Sequence, residues 1–451
     1  MSLNVKNFFE RNRFAITKLV LHGIELDKES FAHLNLLLYL YELELAGISF
    51  NSNPDEDSEV KFNIKMGFLR RLKLIDCDSK ILSAFDNLKK DILNEIHIED
   101  KTNKLRSLKS FQNQGHVTKM YLRGEAYAMI DFDSFTLRLS YLDIDCTPCI
   151  KLLNTQTRLS TLKVDCVVNK VRLVRITKKL ENLHQFEFKL HIDDNIPIDL
   201  SSLQYLKYLK KLKITMLSDN QAKQQAIDGS CMTLRSNSLQ ELNVSYPDFD
   251  LSEANVSRLA AGCPNILKIS IKSRSSTTLV NLILQYFPGS TSLEVELEYD
   301  SRLSKIIHSG GFEHHSLKFL RVDCYPGLDF LLKEKVKISQ LETFTAFIDG
   351  KFDGKSLEKI LRCYPTLKYL YLRSEFVIGL DFIAVLKIFG KNLEGFKLIS
   401  HKVVNKKLEN VFEELQDQFP AHDFNRNHGT LLMKKHSAVA MKPMSWPNFS
   451  H

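Results

Sequence analysis

Apolar and polar residues alternate in short phrases that recur along nearly the whole chain. The clearest phrase, at residues 69–77, has Leu69, Leu72 and Leu74 at its first, fourth and sixth positions and Cys77 at its ninth. Alternation with a period of two predicts a short strand with one buried face. By their first anchor residue, sixteen such phrases begin at Ile16, Leu40, Leu69, Leu93, Val117, Leu139, Leu159, Leu183, Leu209, Leu239, Ile266, Ser290, Leu317, Leu341, Leu367 and Leu393.

The spacing within and between these phrases resembles the leucine-rich repeat, whose period is about 20–29 residues. Segments between the phrases show helical periodicity, and Leu357, Ile360 and Leu361 share one helix face. One strand and one helix per repeat predict an α/β solenoid with the shape of a horseshoe. We expect about sixteen repeats, with parallel strands on the concave face and helices on the convex face.

The repeat frame also predicts the domain organisation. Residues 1–15 are expected to form an N-terminal cap, residues 16–418 the solenoid, and residues 419–451 a mobile C-terminal tail without strand or helix period. Two segments interrupt the frame. Residues 51–59 are acidic and rich in turn formers, so an exposed loop is expected there. Residues 218–237 form a longer insertion, for which the sequence allows either a loop on one edge or an extended helix.

Composition excludes several classes of protein. The 451 residues carry 62 Lys and Arg against 54 Asp and Glu, a net charge of +8. This modest excess permits an acidic partner but does not indicate nucleic acid. No apolar stretch reaches the ~18 residues of a membrane span, and the N-terminus lacks the apolar core of a signal peptide. No membrane association is expected.

The eight cysteines follow the repeat frame and do not suggest disulfides. Cys77, Cys146, Cys166 and Cys324 each follow a strand phrase, at the turn where this repeat takes Asn or Cys. Buried free thiols there predict a cytoplasmic or nuclear location. The C-x-x-C sequence at residues 146–149 has no second ligand pair for zinc, so we interpret it as structural.

Other motifs resemble chemical sites without meeting their requirements. Residues 350–356 resemble a phosphate-binding loop but have three residues between the glycines where four are needed. In the repeat frame Lys355 becomes a solvated loop residue and Ser356 a helix cap. His308, His314 and His315 lack a suitable set of additional metal ligands. The sequence therefore predicts no enzyme activity, no cofactor and no metal site.

The polar positions of each phrase are expected to face the concave surface and to contact a partner. Two basic sets and one basic–aromatic set stand out, while Glu294, Glu296 and Glu298 form an acidic set. Aromatic residues beside arginines favour interface hot spots. The predicted partner-binding residues are Arg70, Arg71, Lys73, Lys210, Lys211, Lys213, Lys318, Phe319, Arg321, Lys368, Tyr369, Tyr371 and Arg373.

Two helix ends, at residues 262–266 and 363–370, pair a Cys and a Pro with the strand that follows. With the phrases that end in Cys, they resemble the repeats of F-box/leucine-rich-repeat proteins. That resemblance implies a substrate receptor of a cullin–RING ubiquitin ligase of the SCF type. The F-box itself is not visible, since the first phrase begins at Ile16.

The expected function is therefore non-catalytic recognition of a protein partner. Cullin–RING ligase subunits are the partners that the resemblance implies. A stand-alone repeat scaffold is the alternative, and nucleotide or RNA binding is a further one. An RNA-binding role through the basic sets would show a steep dependence of affinity on salt.

Overall fold

The computed structural model separates into two compact units. The first comprises residues 1–219 and 234–239, and the second comprises residues 220–233 and 240–451. The structure describes residues 2–50, 66–78, 80–81, 84–85, 88, 92–101, 108, 111, 114–124, 135, 137–145, 148–192, 200–218, 227–228, 234–245, 249–250, 252–273, 278–297, 312–324, 336–376, 380–389, 392–400, 422–427 and 430–435.

Each of the sixteen predicted phrases forms a strand that begins two residues after its anchor. In the first unit nine strands pair in parallel in chain order. They are β1 (Lys18–His22), β2 (Glu42–Ala46), β3 (Arg71–Ile75), β4 (Glu95–Asp100), β5 (Lys119–Gly124), β6 (Tyr141–Ile144), β7 (Thr161–Val168), β8 (Gln185–Ile192) and β9 (Lys211–Ser218).

The second unit continues the same pattern. Seven strands pair in parallel, again in chain order. They are β10 (Glu241–Ser245), β11 (Lys268–Ser273), β12 (Ser292–Leu297), β13 (Phe319–Cys324), β14 (Thr343–Phe352), β15 (Tyr369–Phe376) and β16 (Gly395–Ser400). The phrase at Ser290, which begins with a polar residue where the others have an apolar one, forms β12, so its strand prediction is confirmed.

The register places equivalent repeat positions side by side. Leu43 of β2 pairs with Leu72 of β3, which in turn pairs with Ile96 of β4. All three side chains are buried, as are the anchors Leu40 and Leu69. A one-residue slip would turn these apolar side chains toward solvent, so burial itself fixes the register.

Backbone pairing begins one residue ahead of the strands. The carbonyl of Tyr41 accepts bonds from the N–H groups of Arg70 and Arg71, at 2.9 and 3.1 Å. The carbonyl of Arg70 in turn accepts from Asn94 and Glu95, at 2.9 and 3.1 Å. Because one carbonyl accepts two hydrogen bonds, both backbone N–H groups in the bend before the strand are satisfied.

The other side of the sheet carries helices of unequal length. The α-helices are α1 (Ser2–Arg11), α2 (Lys28–Ala32), α3 (Lys170–Lys179), α4 (Glu253–Gly262), α5 (Thr278–Tyr286), α6 (Gly354–Cys363) and α7 (Leu380–Phe389). A 3₁₀ segment at His33–Leu36 directly follows α2, and two other repeats have 3₁₀ segments at Pro148–Asn154 and Ser201–Tyr205. Among the described residues, the helical segments between the strands are therefore either α-helical or 3₁₀-helical. In α6 the predicted face of Leu357, Ile360 and Leu361 is buried.

The structure differs from the sequence analysis in the segment expected to be a tail. β17 (His422–Asn427) and β18 (Thr430–Lys435) form an antiparallel pair, and β18 also pairs antiparallel with β16. The two strands are short and are separated by His428 and Gly429, so no long period reveals them in the sequence. Their pairing covers the edge that β16 would otherwise expose.

The remaining extended residues form three two-stranded parallel ladders. They join Glu25–Leu26 to Ser49–Phe50, Ile227–Asp228 to Phe249–Asp250, and Phe312–His314 to Val336–Ile338. The predicted loop at residues 51–59 lies outside the described residues. The predicted insertion at residues 218–237 is described only in part, and it contributes Ile227–Asp228 to one ladder.

Candidate functional site

The outward side chains of the strands form rows across each unit, as the period of two predicts. We call the row two residues after each anchor the first row, and the row four residues after each anchor the second row. In the first row Lys18, Glu42, Arg71 and Glu95 are neighbours and alternate in charge. The Nζ atom of Lys18 lies 2.6 Å from Oε1 of Glu42. Along this face, the charged side chains of neighbouring strands therefore neutralise one another.

The predicted set of Arg70, Arg71 and Lys73 is part of this paired surface. Nε of Arg71 lies 3.7 Å from Oε2 of Glu95, and its Nη1 lies 3.8 Å from Oε2 of Glu42. Nζ of Lys73 lies 2.9 Å from Oε1 of Glu44. Arg70 sits ahead of the strand and donates from Nη1 to the carbonyl of Ile92 at 3.0 Å. The three cations do not form an isolated basic patch.

The predicted set of Lys210, Lys211 and Lys213 is likewise not an isolated basic patch. Lys213 forms a hydrogen-bonded ion pair with Glu187 on the neighbouring strand. Glu187 also lies 3.8 Å from Nζ of Lys163, so one carboxylate serves two lysines. Lys210 precedes β9 and its backbone N–H donates to the carbonyl of His184. Lys210 therefore lies just before the N-terminal end of β9, whereas Lys213 lies in the second row.

In the second unit the structure brings Lys318 and Lys368 to a shared carboxylate. Their Nζ atoms lie 3.6 Å from Oε1 and 3.2 Å from Oε2 of Glu342, which stands on the repeat between them. Hydrogen bonding to Lys368 lowers the pKa of Glu342, with the charges of both lysines acting in the same direction. Glu342 thus joins Lys318 and Lys368, two members of the predicted basic–aromatic set that come from different repeats.

The aromatic members of this set are more buried than the sequence suggests. Tyr371 is buried, whereas Phe319 is half-buried. The hydroxyl of Tyr369 donates to Oε2 of Glu394 at 2.7 Å, and this bond raises the pKa of Tyr369 to about 12. Arg321, Thr345 and Tyr371 are neighbours in the second row, and Arg373 lies two residues beyond Tyr371. Of the acidic set, Glu296 pairs with Lys272 at 2.8 Å, and Glu298 lies outside the described residues.

A stack of three rings on β4, β5 and β6 was missed by the sequence analysis. The rings of His97 and Tyr121 stack with centroids 5.2 Å apart, and those of Tyr121 and Tyr141 lie 5.0 Å apart. Nζ of Lys163 lies 6.0 Å from the centroid of Tyr141 and continues the series. Each residue comes from a different repeat, and only strand register makes them adjacent.

The three rings of this cluster carry no charge at neutral pH. Burial raises the pKa values of Tyr121 and Tyr141 to about 12, and burial also lowers the pKa of His97. All three rings are therefore neutral at physiological pH. Beside them Nη2 of Arg123 lies 3.2 Å from Oδ2 of Asp143, a carboxylate whose side chain is only 6% exposed. The cluster offers stacking and hydrogen bonding, with its charges already paired.

A second feature missed by the sequence is an exposed aromatic patch on the first three repeats. The rings of Phe14 and Tyr39 have centroids 5.9 Å apart, and those of Tyr39 and Phe68 lie 5.4 Å apart. These residues are 55%, 46% and 52% exposed. Leu38 and Tyr41, next to Tyr39 and two residues after it in the sequence, are also exposed. We call these five residues the aromatic patch.

Arginines lie against two members of the aromatic patch. The guanidinium of Arg13 is 4.5 Å from the ring centroid of Phe14, and that of Arg71 is 5.8 Å from the ring of Tyr41. Arg71 thus belongs both to the predicted basic set and to the rim of the patch. The signal in the sequence was the apolar residue directly before the anchors Leu40 and Leu69. Nothing in that signal distinguished these side chains from core residues.

Nine strands in parallel register in the first unit and seven in the second, each built from the same anchored phrase, decide the fold. The chain folds as a leucine-rich repeat solenoid. No family model and no curated protein matches the chain. Similar solved structures include an internalin from Listeria monocytogenes, at 13% identity, covering 90% of this chain and 95% of the other, with a TM-score of 0.35.

Two further solved structures are similar over comparable lengths of the solenoid. The mouse RP105/MD-1 complex matches at 12% identity, covering 88% of this chain and 70% of the other, with a TM-score of 0.41. The TLR13–ssRNA13 complex matches at 13% identity, covering 87% and 76%, with a TM-score of 0.35.

The phosphate-loop look-alike has a structural role in the solenoid. β14 extends through Gly350 to Phe352, and Gly354 begins α6. Asp353 caps this helix, because its Oδ1 accepts bonds from the backbone N–H and the hydroxyl of Ser356, each at 2.9 Å. The prediction that Ser356 is the cap was wrong, since a carboxylate one turn earlier takes that place. Lys355 is exposed in the first turn of the helix and not in a loop.

The histidine motif is likewise structural where it is described. His314 is buried, and its Nδ1 accepts a bond from the backbone N–H of Leu317 at 3.1 Å. The hydrogen-bond network therefore assigns the proton to Nε2, which donates to the carbonyl of Phe287 at 3.1 Å. His315 is exposed, and His308 lies outside the described residues. In the described part of the chain no group of three or more His, Cys, Asp or Glu side chains is arranged to hold a metal.

The cysteines follow the predicted pattern in part. Cys77 is buried just after β3, whereas Cys166 lies within β7 because that strand is longer than its phrase. Cys263 is buried at the end of α4, and Cys363 is exposed as the last residue of α6. Cys324 is the last residue of β13, and Cys146 lies outside the described residues. No helix within the described ranges has the length and apolarity to cross a membrane.

Proposed function

We propose that this solenoid is a non-catalytic binding protein that recognises a protein partner through the aromatic patch. The observation that carries the proposal is the continuous contact of Phe14, Tyr39 and Phe68 at the surface. Soluble proteins rarely leave adjacent large rings exposed without a use, because their hydration is unfavourable.

The size of the patch suits the centre of an interface. A fully buried aromatic side chain covers about 150–250 Å², so five large side chains near half exposure present about 500 Å². That area lies near the upper end for the largest apolar patch of a monomer. A standard interface needs about 800 Å² on each partner, so a polar rim would supply the remainder.

The rim defines the chemistry of the partner. Arg13 and Arg71 lie against the rings of Phe14 and Tyr41, and the carboxylate of Glu42 is already shared with Lys18 and Arg71. A segment with apolar side chains for the rings and flanking carboxylates for the arginines would complement this surface. Part of the predicted site, Arg70, Arg71 and Lys73, then borders the contact.

The second unit offers a separate proposed contact. Lys318, Phe319, Arg321, Lys368, Tyr369, Tyr371 and Arg373 remain the proposed partner-binding residues there, and Lys210, Lys211 and Lys213 remain so in the first unit. Support comes from exposed ammonium groups on Lys318 and Lys368 that share only one carboxylate. Extended contacts along several repeats are typical of solenoids.

A photo-crosslinking residue at position 68 of the full chain tests the proposal. The cross-linked protein is identified, purified and titrated against unlabelled chain by calorimetry. Replacing both Tyr39 and Phe68 by Ser should weaken binding at least about tenfold, because buried aromatic anchors dominate interfaces. The matched control is Ile388→Ser, an exposed apolar residue on α7. Equal affinity of the double variant and the control would overturn the proposal.

The finer proposal is that the partner is a substrate of a cullin–RING ligase. It rests on the resemblance of residues 262–266 and 363–370 to F-box/leucine-rich-repeat proteins. Purification of the full chain from cells of its source, followed by mass spectrometry, should then recover cullin-complex subunits. Their absence, with the cross-linked partner still present, would leave a stand-alone scaffold and reject ligase membership.

A further inference from the structure

The helix α3 carries a strongly basic surface on the side of the first unit opposite the strand rows. Its ten residues include five Lys and Arg and no acidic residue. Leu173 and Ile176 are buried, whereas Lys170, Arg175, Lys178 and Lys179 are exposed. The helix therefore packs by its apolar side and turns its cations to solvent.

Arg175 and Lys178 differ from the cations of the strand rows in their surroundings. On the strands Lys18, Lys73 and Lys213 each pair with a glutamate. Within the described part of the chain Arg175 and Lys178 form no ion pair. Lys178 instead lies over the ring of Tyr205, with Nζ 5.6 Å from the centroid. Lys179 donates to the amide oxygen of Asn154 at 2.7 Å.

Helix stability does not explain this composition. Positive charges near a helix N-terminus oppose the helix dipole, and α3 begins with Lys170 and has Arg172 in its first turn. Asn169 supplies the cap by accepting a bond from the N–H of Arg172 at 3.0 Å, so the cations are not needed there for capping. Five like charges on one helix, two of them opposed to its dipole, indicate a polyanion as ligand.

The segments packed beside α3 extend the surface. The 3₁₀ segment Pro148–Asn154 carries the exposed Lys151, and Ser201–Tyr205 ends in an exposed ring. The next turn adds the exposed Lys207 and Tyr208, and the ring of Tyr208 stacks on His184 at 6.1 Å. Cations followed by exposed rings are the arrangement by which proteins hold single-stranded nucleic acid.

We propose that α3 and its two neighbouring 3₁₀ segments bind single-stranded RNA. Side chains three and four residues apart on a helix lie about 5–6 Å from one another, a spacing that can follow successive phosphates. Arg175, Lys178, Lys151 and Lys207 contact phosphates, and Tyr205 and Tyr208 stack on bases. This site is separate from the aromatic patch and does not rest on the proposed protein partner.

Other polyanions fit this surface less well. An acidic protein segment would need an apolar interface core, and on α3 the exposed large apolar residue is Val171 alone. A membrane surface would need an apolar helix face to insert, and that face of α3 is buried in the solenoid. The net charge of the chain concealed the site, because acidic residues elsewhere offset the cluster.

Fluorescence anisotropy of a labelled oligouridine of about twelve nucleotides tests the proposal with the full chain. Affinity should fall steeply between about 50 and 200 mM salt, since each neutralised phosphate contributes about 0.7 to the logarithmic slope. Replacing Arg175 and Lys178 together by Glu should weaken binding at least about tenfold and reduce the slope by about 1.4 or more. Tyr205→Leu should weaken binding about fivefold or more, and Tyr205→Phe should retain it.

The matched control is the double variant of Lys355→Glu and Lys359→Glu on α6, which makes the same change of charge at exposed helix positions. Thermal unfolding checks that each variant is folded. Absence of binding at the lowest salt, or equal loss in the α3 and α6 variants, would overturn the proposal. Equal affinity for a DNA duplex, an oligoglutamate peptide or phosphatidylserine vesicles would also overturn it, since only a single strand presents unstacked bases.

Discussion

The Sγ atom of Cys77 lies 3.2 Å from the carbonyl oxygen of Leu45 in the preceding repeat and donates a hydrogen bond to it. A weaker contact reaches the carbonyl of Ile75 at 3.4 Å. Burial raises the pKa of the Cys77 thiol, so the protonated donor form is favoured. The cysteine of the clearest phrase thus ties the end of its strand to the neighbouring repeat.

Cysteine reactivity should follow this burial. Thiolate is the reactive form, and access to reagent is also required. In the native protein we expect iodoacetamide to label Cys363, which is exposed, while Cys77 and Cys263 stay unmodified. Peptide mass spectrometry after a short pulse measures each site separately. Labelling of Cys77 at the rate seen in denaturant would contradict the buried hydrogen bond.

Gly124 is required by a close backbone approach. Its φ is +129°, and a Cβ atom there would lie 2.1 Å from the carbonyl oxygen of Asp100 on the neighbouring strand. Gly124→Ala should lower the free energy of unfolding by more than about 2 kcal/mol, because both the dihedral angle and the contact are unfavourable. Urea unfolding measures the change.

Gly67→Ala provides the control for this substitution. A Cβ atom at Gly67 meets no atom within 4 Å. Its effect on the free energy of unfolding should stay within about 0.5 kcal/mol. A similar loss in both variants would mean that the contact with Asp100 does not set the cost.

The stability of the second unit should depend on the protonation of His314. Burial lowers the pKa of His314, and the bond to the Phe287 carbonyl acts in the opposite direction. The unfolded chain therefore binds a proton more readily than the folded protein. The contribution of neutral His314 is present above the unfolded pKa of about 6.5 and is lost as pH falls through that value.

We expect the free energy of unfolding to fall as the pH is lowered from about 7.5 to about 5.5, with His97 adding in the same direction because its pKa is also lowered. His314→Gln should reduce this dependence and lower stability at the higher pH. His315→Gln, at an exposed neighbour, should leave the dependence unchanged. A profile for His314→Gln identical to that of the unsubstituted protein would reject the role of His314.

Thr345 has a buried hydroxyl whose desolvation is not compensated. It is 2% exposed, and its Oγ1 has no hydrogen-bond partner within the described residues. Replacing an unsatisfied buried hydroxyl by a methyl group of similar shape removes the desolvation cost. Thr345→Val should therefore raise the free energy of unfolding by up to about 1 kcal/mol in urea titrations. Thr343→Val, on the same strand but half-buried, should change it by less than about 0.5 kcal/mol. A loss above about 1 kcal/mol at Thr345 would show that the hydroxyl is satisfied.

The sequence by itself determined the repeating strand and its buried side. A period of two and a regular anchor require no knowledge of distant contacts, so phrases from Ile16 to Leu393 located sixteen strands, including the degenerate one at Ser290. The sequence did not predict elements that depend on pairing between distant segments. β18 pairs with the edge of β16, whose backbone groups would otherwise be unpaired. No local sequence pattern shows where such an edge lies.

Only the tertiary structure decided which charges and rings act together. Arg71 and Lys73 read as a basic set along the chain, but register places Glu42, Glu95 and Glu44 beside them. Tertiary packing likewise brings Phe14, Tyr39 and Phe68 into one surface, and it leaves Arg175 and Lys178 of α3 without an ion pair to any described residue. Local periodicity sets which way a side chain points, whereas its neighbours come from residues 20–30 positions away in the sequence. Electrostatic and hydrophobic contacts depend on those neighbours, so the surface chemistry of this solenoid follows from strand pairing.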